Sequence, residues 1–157
     1  MSARYKRTVL ATCCLPWRED LVLDESLFRR SIRNLVGRGL SDLYVFGTAG
    51  EGHAVSDADY RRVVEIFVDE MKSAGGTPMV GVIALSLHTV LDRIAFAASK
   101  GVRIFQISIP AWGPLNDGEL RSYFTQVCGS FPELQFLHYN LMRTGRLVRP
   151  HEYAELA

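Results

Sequence analysis

Leu43-Tyr44-Val45-Phe46-Gly47-Thr48-Ala49-Gly50-Glu51 is an apolar run that breaks into Gly-Thr-Ala-Gly-Glu, and its reading decides the fold. Leu43 to Phe46 are apolar without alternation, as a parallel strand covered on both faces requires, and Gly47 ends the strand where the backbone must turn sharply. Ser56, with Asp59 three residues on, resembles a capping box, and Tyr60, Val63, Val64, Phe67, Val68 and Met71 then recur at helical spacing. The segment reads as strand, Gly-rich turn, helix. Ligands bind in such a unit after the strand's carboxyl end, where backbone N–H groups and a hydroxyl converge on an anion, and Thr48 is the obvious donor. A tight turn with left-handed backbone at Gly47 and Gly50 explains the same residues without a ligand, because a bare Gly-x-x-Gly is a weak motif.

The same unit recurs along the chain. Thr8 to Leu15 reads as a first strand, Pro16 to Asp20 as a loop, and Asp24 as the N-cap of a helix carrying Leu27, Phe28, Ile32, Leu35 and Val36, closed by Gly37 and Gly39. Strand two is Asp42 to Phe46, and helix two runs from Ser56 to about Lys72. Ser73 to Thr77 links to strand three at Pro78 to Val82, and Ser86 or Leu87 opens a third helix, stopped by Lys100-Gly101. Strand four spans Val102 to Ile109, helix four Asn116 to Gly129, and strand five Gln135 to Tyr139; a loop to Arg149 follows, and Pro150 starts another helix. Strict alternation with short links means a parallel sheet with right-handed crossovers, leaving an open doubly wound sheet or part of an eight-fold barrel. Distinctive residues after strand ends, Gly47-Thr48, Ile83, Pro110-Ala111-Trp112 and Tyr139-Asn140, favour the barrel.

The 157 residues, 48% hydrophobic with a formal net charge of +1, have the composition of one soluble globular domain. Basic residues are scattered apart from Arg4-Tyr5-Lys6-Arg7, read as a solvated end, so neither a nucleic-acid nor a membrane partner is expected. Residues 4–17 loosely imitate a secretory signal, with basic residues followed by Thr8 to Trp17, but Pro16 and then Arg18-Glu19-Asp20 arrive without a small-residue cleavage site. Cys13, Cys14 and Cys128 cannot all pair, and neighbours on a strand point to opposite sides, which suggests reduced thiols in the cytoplasm. Cys14 is read as an inert, buried strand cysteine in preference to a reactive one. No metal-ligand spacing is present, and no cofactor is expected.

Taken together, Gly47-Thr48-Ala49-Gly50-Glu51 with its Ser-initiated helix, Gly81-Val82, Pro110, Tyr139-Asn140 and Arg143-Thr144-Gly145 resemble the dihydrodipicolinate synthase and N-acetylneuraminate lyase superfamily of Schiff-base aldolases. The resemblance covers essentially the whole chain. It implies a (β/α)8 TIM barrel in which a 2-keto acid, usually pyruvate, forms an imine with a lysine at the end of strand six. It further implies that Thr48 bonds the carboxylate or relays protons, that the Ala49 amide holds the carboxylate, that Tyr139 shuttles protons, and that Arg143 meets a second substrate's carboxylate. Tetramers built from tight dimers are the implied assembly. The residue chemistry agrees, since a strand-end tyrosine beside a threonine hydroxyl makes a proton relay and a planar arginine fork suits a carboxylate. On residue type alone Tyr139 reads equally well as a core aromatic with a satisfied hydroxyl. His138 reads as a strand residue facing the helices and His53 as a solvated loop residue near the site mouth; Glu51 reads as pinning the loop through backbone N–H groups.

Three departures argue against the dihydrodipicolinate synthase reaction. Ala49 replaces the commoner Thr or Ser. Trp112 stands where the synthases place a tyrosine that enters the neighbouring subunit's relay; an indole cannot replace that phenol, though it could wall a pocket for an apolar aldehyde. Leu141-Met142-Arg143 is one residue shorter than the usual loop, which leaves the direction of Arg143 open. The lysines are Lys6, Lys72 and Lys100, none placed to reach a strand-end pocket. Residues 1–157 are therefore expected to be the amino-terminal portion, about strands one to five, of a barrel of about 250–300 residues. The competing expectation is a non-catalytic half-barrel that binds a carboxylate ligand or a partner chain through its open edges.

Overall fold

The computed structural model describes residues 7–156, in which five strands and five α-helices alternate along the chain. The strands are β1 (Leu10–Cys13), β2 (Asp42–Val45), β3 (Thr77–Gly81), β4 (Ile104–Ile107) and β5 (Gln135–His138). The helices are α1 (Glu25–Gly37), α2 (Asp57–Ala74), α3 (Leu87–Ser99), α4 (Asp117–Gly129) and the short α5 (Tyr153–Leu156), with a 3-10 turn at Met142–Thr144. Every strand pair is parallel and the spatial order is β1-β2-β3-β4-β5. A doubly wound sheet reverses its order at a switch point, and this sheet has none, so the open-sheet alternative is excluded. β1 and β5 are the two sheet edges, as expected of a barrel arc.

Helix starts are set by side-chain acceptors. Asp24 accepts from the Leu27 N–H at 2.9 Å, Ser56 from that of Asp59 at 3.1 Å and Ser86 from that of Thr89 at 3.4 Å. The resemblance of Ser56 and Asp59 to a capping box is only half right: the Ser56 hydroxyl donates to the Asp59 carboxylate at 2.6 Å, which an aspartate's short reach allows. The reciprocal box belongs to α4, where Asn116 caps Glu119 and the Glu119 carboxylate accepts from the Asn116 N–H.

The sheet's two faces differ. Cys13, Val45, Val80, Phe105 and Phe136 share a register row toward the helices. There they meet Phe28 and Ile32 of α1, Val63, Val64, Phe67 and Met71 of α2, Val90 and Ile94 of α3, and Leu120 and Phe124 of α4. Alternate positions, Thr12, Tyr44, Met79 and Gln106, lie on the opposite, concave face; Met79 is fully buried yet stands outside the helix-side cluster.

The ladders are shorter than the apolar runs. β1 pairs only over Leu10–Cys13 of the Thr8 to Leu15 run, and β4 only over Ile104–Ile107 of the Val102 to Ile109 run, where Val102 is tied to the end of α3 through its N–H to the Ala97 carbonyl. Helix α5 starts at Tyr153, not Pro150, because residues 149–152 form a turn in which the Glu152 N–H donates to the Arg149 carbonyl. Cys14 is exposed and Cys13 is the buried thiol, pushed up to about 12 by burial, which reverses the expectation that Cys14 is the inert one. Lys6 and the tail Arg4 to Lys6 lie outside the described residues. Among the described residues, no helix is long and apolar enough to cross a membrane, and no group of three His, Cys, Asp or Glu side chains is arranged to hold a metal.

His138 faces the helices. Its Nδ1 lies 2.7 Å from the Tyr153 hydroxyl and its ring meets Phe124 edge-on at 5.0 Å, while Nε2 is buried without a partner among the described residues. Burial pushes its pKa from 6.5 down to about 4. The unfolded chain binds this proton near 6.5 and the folded chain near 4, so stability is complete above pH 7 and falls as pH drops through that window. We expect a loss of about 1–3 kcal/mol between pH 7 and pH 4, read from urea midpoints, and a flatter profile for His138→Gln. An unchanged profile in that variant would assign the acid limb to other groups.

Candidate active site

The turn after β2 is built by positive φ at residues that are not glycine. Phe46 has φ 66° and Glu51 φ 52°, whereas Gly47 and Gly50 are not left-handed, contrary to the sequence expectation. The glycines serve close approach. A Cβ on Gly47 would lie 2.3 Å from Cε2 of Tyr44, and one on Gly52 would lie 2.2 Å from the Phe46 carbonyl oxygen. Left-handed conformations cost about 1–3 kcal/mol for such residues and persist where surrounding structure enforces them.

The turn consumes its own later amides. Gly50 and Gly52 donate to the Gly47 carbonyl at 3.1 and 3.3 Å, Glu51 to that of Thr48 at 3.2 Å, and Ala54 to that of Glu51 at 2.8 Å. The N–H groups of Thr48 and Ala49 have no hydrogen-bond partner among the described residues. Ala49 is exposed. The Glu51 side chain is exposed and makes no hydrogen bond among the described residues; the turn is pinned by backbone bonds and not, as expected, by that carboxylate.

Beside the turn lies a cavity of about 240 Å³. Thr48 and His53 come to it from the turn after β2, Ile83, Ala84 and Leu85 from the loop after β3, Ser108 and Ala111 from the end of β4, and Leu141, Arg143 and Thr144 from the loop after β5. Its polar residues are thus Thr48, Ser108 and Thr144, which carry hydroxyls, with a histidine and an arginine, set in an aliphatic wall. Such a mixture orients a small organic anion.

The loop after β5 is held by two clamps. The Asn140 side chain donates to the Val148 carbonyl at 2.8 Å and accepts from the Val148 N–H at 2.9 Å. The buried Thr144 hydroxyl lies 2.8 Å and 2.7 Å from the carbonyls of Leu141 and Arg146. Arg143, on the loop so held, is among the residues that line the cavity.

The cavity brings Thr48 and Arg143 together, and does not bring in the other candidates. Tyr139 follows β5, 38% exposed, with its N–H on the Ile107 carbonyl at 2.8 Å, outside the lining residues. Trp112 is 89% exposed on the loop after β4, so it does not form the expected wall of this cavity. His53, read as a solvated loop residue, is exposed and also lines the cavity. Lys72 lies in the last turn of α2 and Lys100 caps α3, where it pairs with Glu65 at 2.7 Å; both sit at helix C-termini, away from the strands' carboxyl ends. Sequence reasoning missed Ser108 and Gln106. Their signal was the polar alternation Gln106-x-Ser108 inside an apolar strand, and Gln106 is buried with neither amide atom paired among the described residues.

The model of the dihydrodipicolinate synthetase family matches residues 6–157. The 4-hydroxy-tetrahydrodipicolinate synthase of Thermus thermophilus is 29% identical over 136 residues, 85% of this chain and 45% of that protein. The N-acetylneuraminate lyase of Salmonella paratyphi B is 26% identical over 140 residues, 88% of this chain and 46% of that protein. Among solved structures, YagE, a prophage protein of the dihydrodipicolinic acid synthase family from E. coli K12 in complex with pyruvate, superposes with a TM-score of 0.89 at 19% identity, covering 95% of this chain and 50% of that one. The chain thus spans about half the length of the relatives it matches, and its fold is the first five β/α units of the TIM barrel. With 152 matched positions running from residue 6 to residue 157, the chain belongs to the dihydrodipicolinate synthetase family.

Proposed function

We propose that the chain is the amino-terminal portion of a (β/α)8 lyase or aldolase that makes or breaks a carbon–carbon bond beside a 2-keto acid, with pyruvate as one partner. The observation that carries this reading is the turn after β2, whose Thr48 and Ala49 amides have no partner among the described residues and whose Thr48 lines a cavity together with Arg143. In this proposal the Ala49 amide and Thr48 hold the keto-acid carboxylate. Thr48 and Tyr139 move protons while the keto carbon is linked as an imine to a lysine supplied by a later strand. The indole at Trp112 and the methyl group of Ala49 in the turn support a reaction other than that of the authentic synthases.

 With Trp112 directed outward and Arg143 in the cavity lining, the site favours a second substrate that carries its own carboxylate over an apolar aldehyde. Three free thiols support a cytoplasmic setting, and the exposed Trp112 supports assembly into dimers or tetramers.

Borohydride trapping with pyruvate tests the proposal. The complete protein should gain the mass of a reduced pyruvate adduct on one lysine. Absence of an adduct on the intact protein would overturn the Schiff-base reading. It would favour a non-catalytic half-barrel that holds a carboxylate ligand or a partner chain, a reading supported by the unpaired edges at β1 and β5 and by the distance of Lys72 and Lys100 from the cavity.

A further inference from the structure

Arg93 is the charged residue on the buried stripe of α3, between Val90 and Ile94, and it is only 6% exposed. A guanidinium is rarely buried unless its donors are used, and here they are. Nη1 donates to the carbonyls of Gly52 at 3.1 Å and Ile83 at 3.2 Å. Nη2 donates to the Val55 carbonyl at 3.1 Å and to the Asp57 carboxylate at 3.0 Å, and Nε donates to the same carboxylate oxygen at 3.2 Å. Its carbon Cζ stacks 4.7 Å from the ring centre of Tyr60, which in turn stacks on Phe46 at 4.7 Å.

These contacts join three pieces of chain. Gly52 and Val55 close the turn that carries Thr48 and His53, Ile83 opens the loop on another side of the cavity, and Asp57 begins α2. One rigid, planar fork therefore fixes the spacing between two walls of the cavity, while Tyr60 supports the left-handed Phe46 at the start of the turn. We propose that Arg93 is a positioning residue that holds the carboxylate-binding turn and the loop after β3 in their binding geometry. The functional part of this inference rests on the pyruvate reading above. Arg93 is not among the residues lining the cavity and acts only through the loops it ties.

Amide hydrogen exchange and steady-state kinetics on the complete protein test the inference together. In Arg93→Met, the amides of Gly50, Glu51, Gly52 and Ala54 should exchange about tenfold faster or more, while those of β2 keep their protection. The KM for pyruvate should rise about tenfold, more than kcat falls, and Arg93→Lys should recover part of both effects because an ammonium reaches some of the same carbonyls. A purely structural role would instead speed exchange by one common factor in strands and turn, and would leave KM unchanged; either result overturns the inference. If the methionine variant does not fold, the lysine variant carries the same comparison, and unchanged turn protection in it overturns the inference equally. If the wild-type protein takes no pyruvate, the functional reading fails, and the exchange measurements alone decide whether Arg93 holds the turn.

Discussion

If the proposed proton relay holds, Thr48→Val in the complete protein should lower kcat by about 10²–10⁴-fold, the range typical of a lost proton-transfer group. Valine matches threonine in shape and removes only the hydroxyl. Thr48 is half-buried at the cavity, and its side chain has no hydrogen bond among the described residues, so nothing in the fold depends on that oxygen. Circular dichroism and the melting temperature should therefore be unchanged while turnover collapses. Tyr139→Phe sharpens the test, because its phenol lies outside the cavity lining and must reach Thr48 through the bound substrate or a rearrangement. If the two hydroxyls move the same proton, the double variant should lose little more than the worse single variant. Wild-type turnover in Thr48→Val would remove the relay assignment; fully additive losses would give the two residues separate tasks.

Much of the arc was legible because its signals are local. Period-3.6 stripes, cap residues and glycine stops placed α1 to α4 to within a residue or two, and continuous apolar runs located β1 to β5. Strand ends were overextended because hydrophobicity continues past the last ladder bond: Ile109 is buried but unpaired, packed against the helix layer. Periodicity cannot separate the two.

The site was legible only where residue type implies chemistry. Thr48 and Arg143 reach one cavity, but the backbone that places Thr48 was misread, since glycines suggested left-handed turns and the chain put those conformations at Phe46 and Glu51. No local rule assigns positive φ to a phenylalanine; burial of its ring against Tyr60 decides it. Arg93 was overlooked for a related reason. A lone charge in an apolar stripe looks like an interruption of the pattern, and only the fold shows that three backbone carbonyls and a carboxylate converge there.

Phe46→Ala should destabilise the protein by about 3–5 kcal/mol, as truncation of a fully buried phenylalanine does elsewhere. The ring is 0% exposed and stacks on Tyr60 at 4.7 Å with 23° between planes. Its backbone carbonyl lies against both Gly52 and Gly81, where added Cβ atoms would approach to 2.2 and 2.4 Å, so the residue is the seam between β2, the turn and β3. Urea unfolding should show a lower midpoint with an unchanged slope, since the surface exposed on unfolding barely alters. Phe46→Gly separates ring burial from backbone strain. Glycine ordinarily costs about 0.4–1 kcal/mol relative to alanine through the unfolded chain, but at φ 66° it also escapes the left-handed penalty. The glycine variant should therefore match or exceed the alanine variant in stability. If alanine is clearly the more stable of the two, the turn holds no strain at Phe46. The ring would then be a core residue that happens to precede Thr48, and the link from Tyr60 through Phe46 to the Thr48 and Ala49 amides would fall with it.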